Sequence, residues 1–404
     1  MVLFRKGHTS RAPAEYRANF NRLYLDIAGA GMIAGGAMAF VGVFIARQGA
    51  STLQVGLLSA GPAVVNLLFS IPAGRWMEGR AVERSVVLTA TANRLGYLLW
   101  ALLPFLLLPQ AQVWTIIALV LLMGIPATAL VIGFNTLFAT AVPDECRGHV
   151  AGARNALFAV VYLVTSLGCG QILNILPFPV GYQVVFGLSF LGGLFSTYNL
   201  ARIKLGKKGM VAPSSARESR LRLDVLRGPF GRVLAVLFAF YLTLYLAFSV
   251  IPLYLVNVLR LTDLQISWGA ALLSLAMLAG STQLARVSRR WGHQRVTAFG
   301  GLLVACYAGL LALAQGFPLY LVANLFVGFA WGLLGGAMIN YVLERAPAAD
   351  RSASLVWYNL AINAAMLLGS LGGSLAGDWL GLTTALGVFA VLRLAAAFVI
   401  LKWG

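Results

Sequence analysis

Apolar residues run along this chain in blocks of about 20, the length at which a helix crosses the roughly 30 Å hydrocarbon core of a bilayer. Such blocks fall at 23–46, 53–74, 84–108, 112–136, 149–175, 180–201, 232–257, 264–285, 295–315, 318–342, 353–377 and 381–401. In the second half the apolar sequence is nearly continuous, and Pro318, Pro347 and the charged breaks set the cuts. Glycine is abundant, at 44 residues. In water that would weaken helices, but in a bilayer small residues let helices approach closely, and no backbone group can be left unbonded. The pattern predicts an all-α polytopic membrane protein with twelve transmembrane helices.

Composition agrees. The chain is 60% hydrophobic and 10% charged, with a mean hydropathy of +0.85. A water-soluble protein of this size needs nearer a quarter charged residues to clothe its core. The formal net charge of +18 is explained by its placement. Arg5, Lys6, Arg11, Arg17 and Arg22 precede the first block, Arg75, Arg80 and Arg84 follow the second, and Arg286, Arg289, Arg290 and Arg295 follow the eighth. The segment between blocks six and seven is densely basic, while the alternate loops hold little beyond Arg47 and Arg260. Cationic loops stay in the cytoplasm. Both termini are therefore expected there, the helix count is even, and no nucleic-acid partner is needed. The basic face is expected to meet anionic membrane lipids. No cleavage site ends a short apolar run near the N-terminus, so the first block reads as a spanning helix rather than a signal peptide. Short loops suit a prokaryotic inner membrane.

The two halves repeat. At an offset of 204 residues Pro143 pairs with Pro347, Arg147 with Arg351 and Asn155 with Asn359, and Ser166-Leu167-Gly168 with Ser370-Leu371-Gly372. At an offset of 211, Leu53-Gln54 pairs with Leu264-Gln265, Arg75 with Arg286 and Arg84 with Arg295. The expected organisation is a cytoplasmic arm (1–22), a six-helix bundle (23–201), a basic linker (202–231) and a pseudo-symmetric second bundle (232–404). Parallel repeats of this kind are one architecture for alternating access.

The loop Gly74-Arg75-Trp76-Met77-Glu78-Gly79-Arg80-Ala81, continuing to Arg84, resembles the signature loop of the major facilitator superfamily. Glu78 stands where the family carries aspartate, and Ala81 replaces the second glycine. The second-half loop from Ala285 to Arg295 keeps that glycine as Gly292 but lacks the acid. The resemblance covers the whole chain and implies secondary transport. It further implies a cytoplasmic gate, for which the candidates are Glu78, Arg75, Arg80, Arg84, Arg286 and Arg295. Helix four lacks the arginine and helix five the glycine-proline pair that antiporter members often carry.

Ionisable groups at membrane depth are costly and mark candidate function. Asp26 lies about one turn into the first helix and is the candidate proton carrier. Arg94 lies roughly ten residues into the third, ~15 Å along a helix; it is placed to bind an anionic group or to pair with Asp26. Arg154 and Asn155 occupy the start of the fifth helix, with Tyr358 and Asn359 as their repeat counterparts, and Asn363 lies one turn further. Arg393 is deep in the twelfth helix and is assigned no transport role. Further polar and aromatic candidates are Asn66, Asn135, Asn324, Asn340, Tyr24, Tyr245, Trp331 and Trp357.

Cys146, Cys169, Cys306 and the three histidines show no metal-ligand spacing, and no phosphate-binding loop or nucleophile motif occurs, so neither a cofactor nor an enzymatic role is expected. The leading expectation is proton-coupled export of amphipathic or hydrophobic small molecules, for which a monomer suffices. The alternatives are movement of a lipid or lysolipid between leaflets, uptake of a polar metabolite, and a non-transporting receptor or assembly factor.

Overall fold

The computed structural model describes residues 14–205, 226, 229–347 and 351–403. Most of the basic linker and the first residues of the arm, with Arg5, Lys6 and Arg11, lie outside the described residues. Twelve helices among those described are long and apolar enough to cross a membrane. They are α1 (Tyr16–Arg47), α2 (Thr52–Met77), α3 (Val82–Leu106), α4 (Pro109–Ala141), α5 (Asp144–Ile175), α6 (Val180–Ala201), α7 (Phe230–Val258), α8 (Asp263–Trp291), α9 (His293–Ala312), α10 (Phe317–Arg345), α11 (Ala353–Leu380) and α12 (Leu382–Trp403).

Several helices overrun their apolar blocks. α1 begins at least a turn before residue 23 because the polar residues there find partners: Asn19 Nδ2 donates to the Lys204 carbonyl at 2.9 Å, and Arg22 donates to Asn199 Oδ1 at 3.1 Å. Pro104 and Pro126 lie inside α3 and α4. Tight turns close the gaps. Gly79, between α2 and α3, has φ +67°, and Gly292, between α8 and α9, has φ +77°, a backbone that side chains resist.

By contact the chain forms two compact units. The first comprises residues 1–41, 68–108 and 118–215; the second comprises 42–67, 109–117 and 216–404. In the first unit α1 crosses α6 where a Cβ on Gly29 would come 2.4 Å from the Gly192 carbonyl. It crosses α5 where a Cβ on Gly35 would come 2.5 Å from the Tyr162 carbonyl. Phe20, Leu23, Val82, Val86, Leu137 and Val150 fill the space near the basic end. In the second unit α7 crosses α11 at Gly369 and Gly373, and α8 crosses α10 at Gly280, Gly328 and Gly332, each against a facing carbonyl. Its core runs through Phe240, Tyr254, Leu311, Tyr341 and Phe389.

The first helix of each half carries a π turn, which interrupts α1 at Ala34–Met38 and ends α7 at Tyr254–Val258. Such turns often mark functional positions. In α1 the Ala37 amide donates to Ser189 Oγ of α6 at 2.8 Å, and a Cβ on Gly36 would meet that oxygen at 2.3 Å. The small residues of Ala34-Gly35-Gly36-Ala37 admit the hydroxyl.

Candidate functional site

Three charges meet inside the first unit. Asp26 lies ten positions past the start of α1, and Arg154 ten positions past the start of α5. Arg94 is the central residue of α3. All three are at most 7% exposed. Asp26 Oδ2 accepts from Arg154 at 3.2 Å, and Oδ1 accepts from Ser196 Oγ of α6 at 2.7 Å. Arg94 donates to Ser196 Oγ and to Asn93 Oδ1, both at 3.4 Å. Ser196 therefore bridges Arg94 to the carboxylate. Arg94 is the expected partner of Asp26, but the direct partner is Arg154, and Arg94 reaches the acid only through the hydroxyl.

The guanidinium of Arg154 lies 4.5 Å from the Phe134 ring centroid and 5.7 Å from that of Phe138. Arg154 Nη1 and Arg94 Nε are buried without a hydrogen-bond partner among the described residues. Two buried cations thus share one carboxylate, with an aromatic floor under one of them taking part of the excess charge. Close packing enforces the arrangement: a Cβ on Gly193 would fall 2.4 Å from the Arg94 side chain. The cluster is one in which a change in the charge of Asp26 must redistribute the contacts of both arginines. Ser196 and Phe134 were not anticipated, since a serine or phenylalanine in an apolar helix carries no distinguishing signal.

In the second unit, the Tyr241 and Tyr358 hydroxyls are 2.8 Å apart, and the Tyr241 hydroxyl also reaches Met338 Sδ at 3.6 Å. Asn363 donates to the Asn359 carbonyl at 2.8 Å and to its Oδ1 at 3.2 Å. Asn359 is exposed, as is Asn155 in the first unit. Tyr241 is an addition to the candidates named from sequence. Arg393 is 1% exposed, packed 3.5 Å over the Phe240 ring and bonded to the Phe240 carbonyl and Thr243 Oγ1.

Within each unit the gate candidates at the basic end make no ion pair with one another. Glu78 makes no ion pair with any described residue. Arg75 and Arg84 are exposed; Arg80 folds back onto the Trp76 carbonyl and ring, and Arg286 onto Gln283. Glu83, which the sequence reading passed over, accepts from the Leu205 amide at 3.0 Å. Arg295 lies against an apolar groove.

At the opposite end a polar clasp forms within the second unit. Arg47 donates through Nε to Asp263 Oδ1 at 2.8 Å and through Nη2 to the Leu261 carbonyl at 2.9 Å. That carbonyl follows Arg260, whose φ of +50° is a strained conformation for a side-chain-bearing residue. Thr52 hydrogen-bonds Asp378, and a Cβ on Gly56 would meet Ser374 Oγ at 2.0 Å. Thr262 and Gln265 cap α8 reciprocally, fixing Asp263 in its first turn.

The family description "Major Facilitator Superfamily" matches residues 27–262 and 233–404. A protein of Deinococcus radiodurans described as "Putative sugar efflux transporter" is 24% identical over 381 residues, covering 90% of this chain and 91% of that protein. Among solved structures, a mutant form of the nucleoside transporter NupG is similar with a TM-score of 0.75 at 11% identity, covering 95% of this chain and 99% of its own. A bacterial homologue of the iron transporter ferroportin, in an inward-facing state, gives a TM-score of 0.74 at 14% identity, with coverages of 96% and 98%. At those identities the likeness is one of fold.

Proposed function

Since the chain belongs to the major facilitator superfamily and is a multi-pass membrane transporter, we propose that it works by alternating access and exports a small, uncharged amphipathic solute in exchange for protons. The observation that carries this reading is the buried Asp26–Arg154 pair. Asp26 is the one described acid ten or more positions inside a spanning helix. Its two oxygens are held by a cation and a hydroxyl, so a proton arriving there displaces Arg154. Arg154 released onto Phe134 leaves a changed charge pattern, and that pattern is what couples proton binding to the helix arrangement.

The clasp of Arg47, Asp263, Thr52 and Asp378 supports alternating access. It ties the ends of α1 and α2 to α8, to the loop before it and to α11, and it must part for solute to leave on that side. The lysine and arginine distribution favours a cytoplasmic basic end and an outer clasp. The prokaryotic inner membrane is then the site of action.

For the solute, the second unit offers the Tyr241–Tyr358 hydroxyl pair and the Asn359–Asn363 amides beside aromatic walls, and no described carboxylate accompanies them. Hydroxyls and amides suit sugar-like or glycosidic solutes carrying an apolar portion. The Deinococcus relative's description points to sugars and to efflux. Leaflet-to-leaflet lipid movement gains no support from Arg94, which is packed against α6 instead of standing free at mid-membrane.

The test is transport in proteoliposomes under an imposed pH gradient. A radiolabelled alkyl glycoside, a lipophilic cationic dye and a fluorescent lysolipid are offered separately. Uphill movement of the glycoside that collapses with the gradient is expected. Movement of the lysolipid alone, or glycoside flux indifferent to the gradient, would overturn the proposal.

A further inference from the structure

Between α9 and α12, at the basic end, lies an apolar groove of about 310 Å³. Trp291, Phe299 and Leu302 form one side and Leu394 and Phe398 the other, with Arg295 at the mouth. The groove is built on a fixed frame. Gln294 Nε2 donates to the Ile400 carbonyl at 2.8 Å, tying the start of α9 to the end of α12. Arg345 donates to Gln294 Oε1 at 2.8 Å, tying both to α10. Trp291 stacks edge-on against Phe299 at 5.6 Å.

The polar groups at the mouth are cationic in excess. Arg295 is exposed and makes no hydrogen bond or ion pair with a described residue. Arg289 and Arg290 in the last turn of α8 and Lys402 at the end of α12 are exposed nearby in sequence. Glu344, the acid at this end among the described residues of this unit, is engaged by His293 at 2.6 Å. α9 starts at Gly292 without a side-chain cap, so the positive end of its dipole adds to the same field. Trp291 and Trp403 are exposed aromatics of the kind that sit at headgroup level.

We propose that this groove is a binding site for one anionic phospholipid. An acyl chain lies along Leu302, Leu394 and Phe398, and the headgroup phosphate meets Arg295 and the start of α9. A solute in transit is a poor fit, because Phe398, at 60% exposure, and Leu302 open the groove outward. A zwitterionic lipid would leave the cationic excess unanswered. The site is independent of the proposed cargo and of Asp26.

The experiment is native mass spectrometry of the purified full-length protein with added dioleoyl-phosphatidylglycerol, dioleoyl-phosphatidylcholine or inorganic phosphate. The wild type is expected to retain phosphatidylglycerol in preference to phosphatidylcholine. Arg295→Gln is expected to weaken phosphatidylglycerol binding about fivefold, since one basic residue near an anionic surface contributes about 1 kcal/mol, and to leave phosphatidylcholine unaffected. Leu302→Trp, which fills the groove from its exposed rim, should remove the preferred phosphatidylglycerol adduct, while Arg84→Gln, an exposed arginine of the first unit, should keep it. Equal retention of the two lipids, an undiminished adduct in both groove variants, or displacement by inorganic phosphate alone would overturn the proposal. Arg295→Lys restoring the preference would separate loss of charge from loss of fold.

Discussion

Asp26→Asn isolates the pair on which the coupling proposal stands. The asparagine keeps the shape and can still accept from Ser196, but it removes the charge facing Arg154 at 3.2 Å. Deleting one partner of a buried pair costs about 3–5 kcal/mol, because the survivor is left unmatched. Here Arg154 retains its seat over Phe134, a contact worth about 0.5–2 kcal/mol, so the lower end, about 3 kcal/mol, is expected. Arg154→Gln alone leaves Asp26 with Ser196 and the more distant Arg94, and should cost a similar amount. The double variant carries no unmatched charge of this pair. It should be less destabilised than the sum of the singles by about 2 kcal/mol, within the range found for residues in contact. Unfolding of the four proteins in one detergent gives the cycle. The same proteins in liposomes give the functional half: Asp26→Asn and the double variant lose gradient-driven accumulation yet keep exchange of labelled for unlabelled solute. Additive destabilisation would show that the pair has no energetic meaning. Uphill transport surviving in Asp26→Asn would remove it from the coupling path.

The clasp predicts that Arg47→Gln raises labelling of an Ala50→Cys probe by a membrane-impermeant maleimide several-fold over Ala50→Cys alone; an unchanged rate would mean that Arg47 holds nothing shut. Gly29→Val should cut the yield of folded protein sharply, since its Cβ alone would stand 2.4 Å from the Gly192 carbonyl, and a normal unfolding temperature would contradict that crossing. Arg393→Met should leave transport intact and raise stability by about 1 kcal/mol or more, because a buried cation with Nε and Nη2 unbonded among the described residues gives way to an apolar side chain of similar length; a loss of transport would give Arg393 a role denied to it here. Tyr241→Phe should weaken solute affinity and spare pH-driven turnover at saturating solute, checked by separating KM from kcat.

Much of the fold was legible because bilayer thickness imposes one length on every apolar block and the basic loops mark every second turn. Helix ends were less so: Asn19 and Arg22 look like loop residues until Lys204 and Asn199 supply their partners. Asp26, Arg94 and Arg154 were visible as charges out of place. Their pairing was not, because periodicity says nothing of which helices meet; that is decided by Gly29 and Gly35, which admit facing carbonyls, and by Gly193, which admits the Arg94 side chain. Ser196 and Tyr241 were invisible, each being an ordinary residue made important by what lies opposite. Arg47 reads as a loop charge and nothing marks Asp263 as its partner, since the two stand 216 positions apart.

Proton movement itself is the most direct test. Proteoliposomes enclosing a pH-sensitive dye, with no gradient imposed, are given an inward gradient of the glycoside alone. Exchange predicts that glycoside entry drives protons out, alkalinising the interior in the wild type and leaving it unchanged in Asp26→Asn. Glycoside flux with no pH change in the wild type, or with acidification, would contradict proton exchange at Asp26.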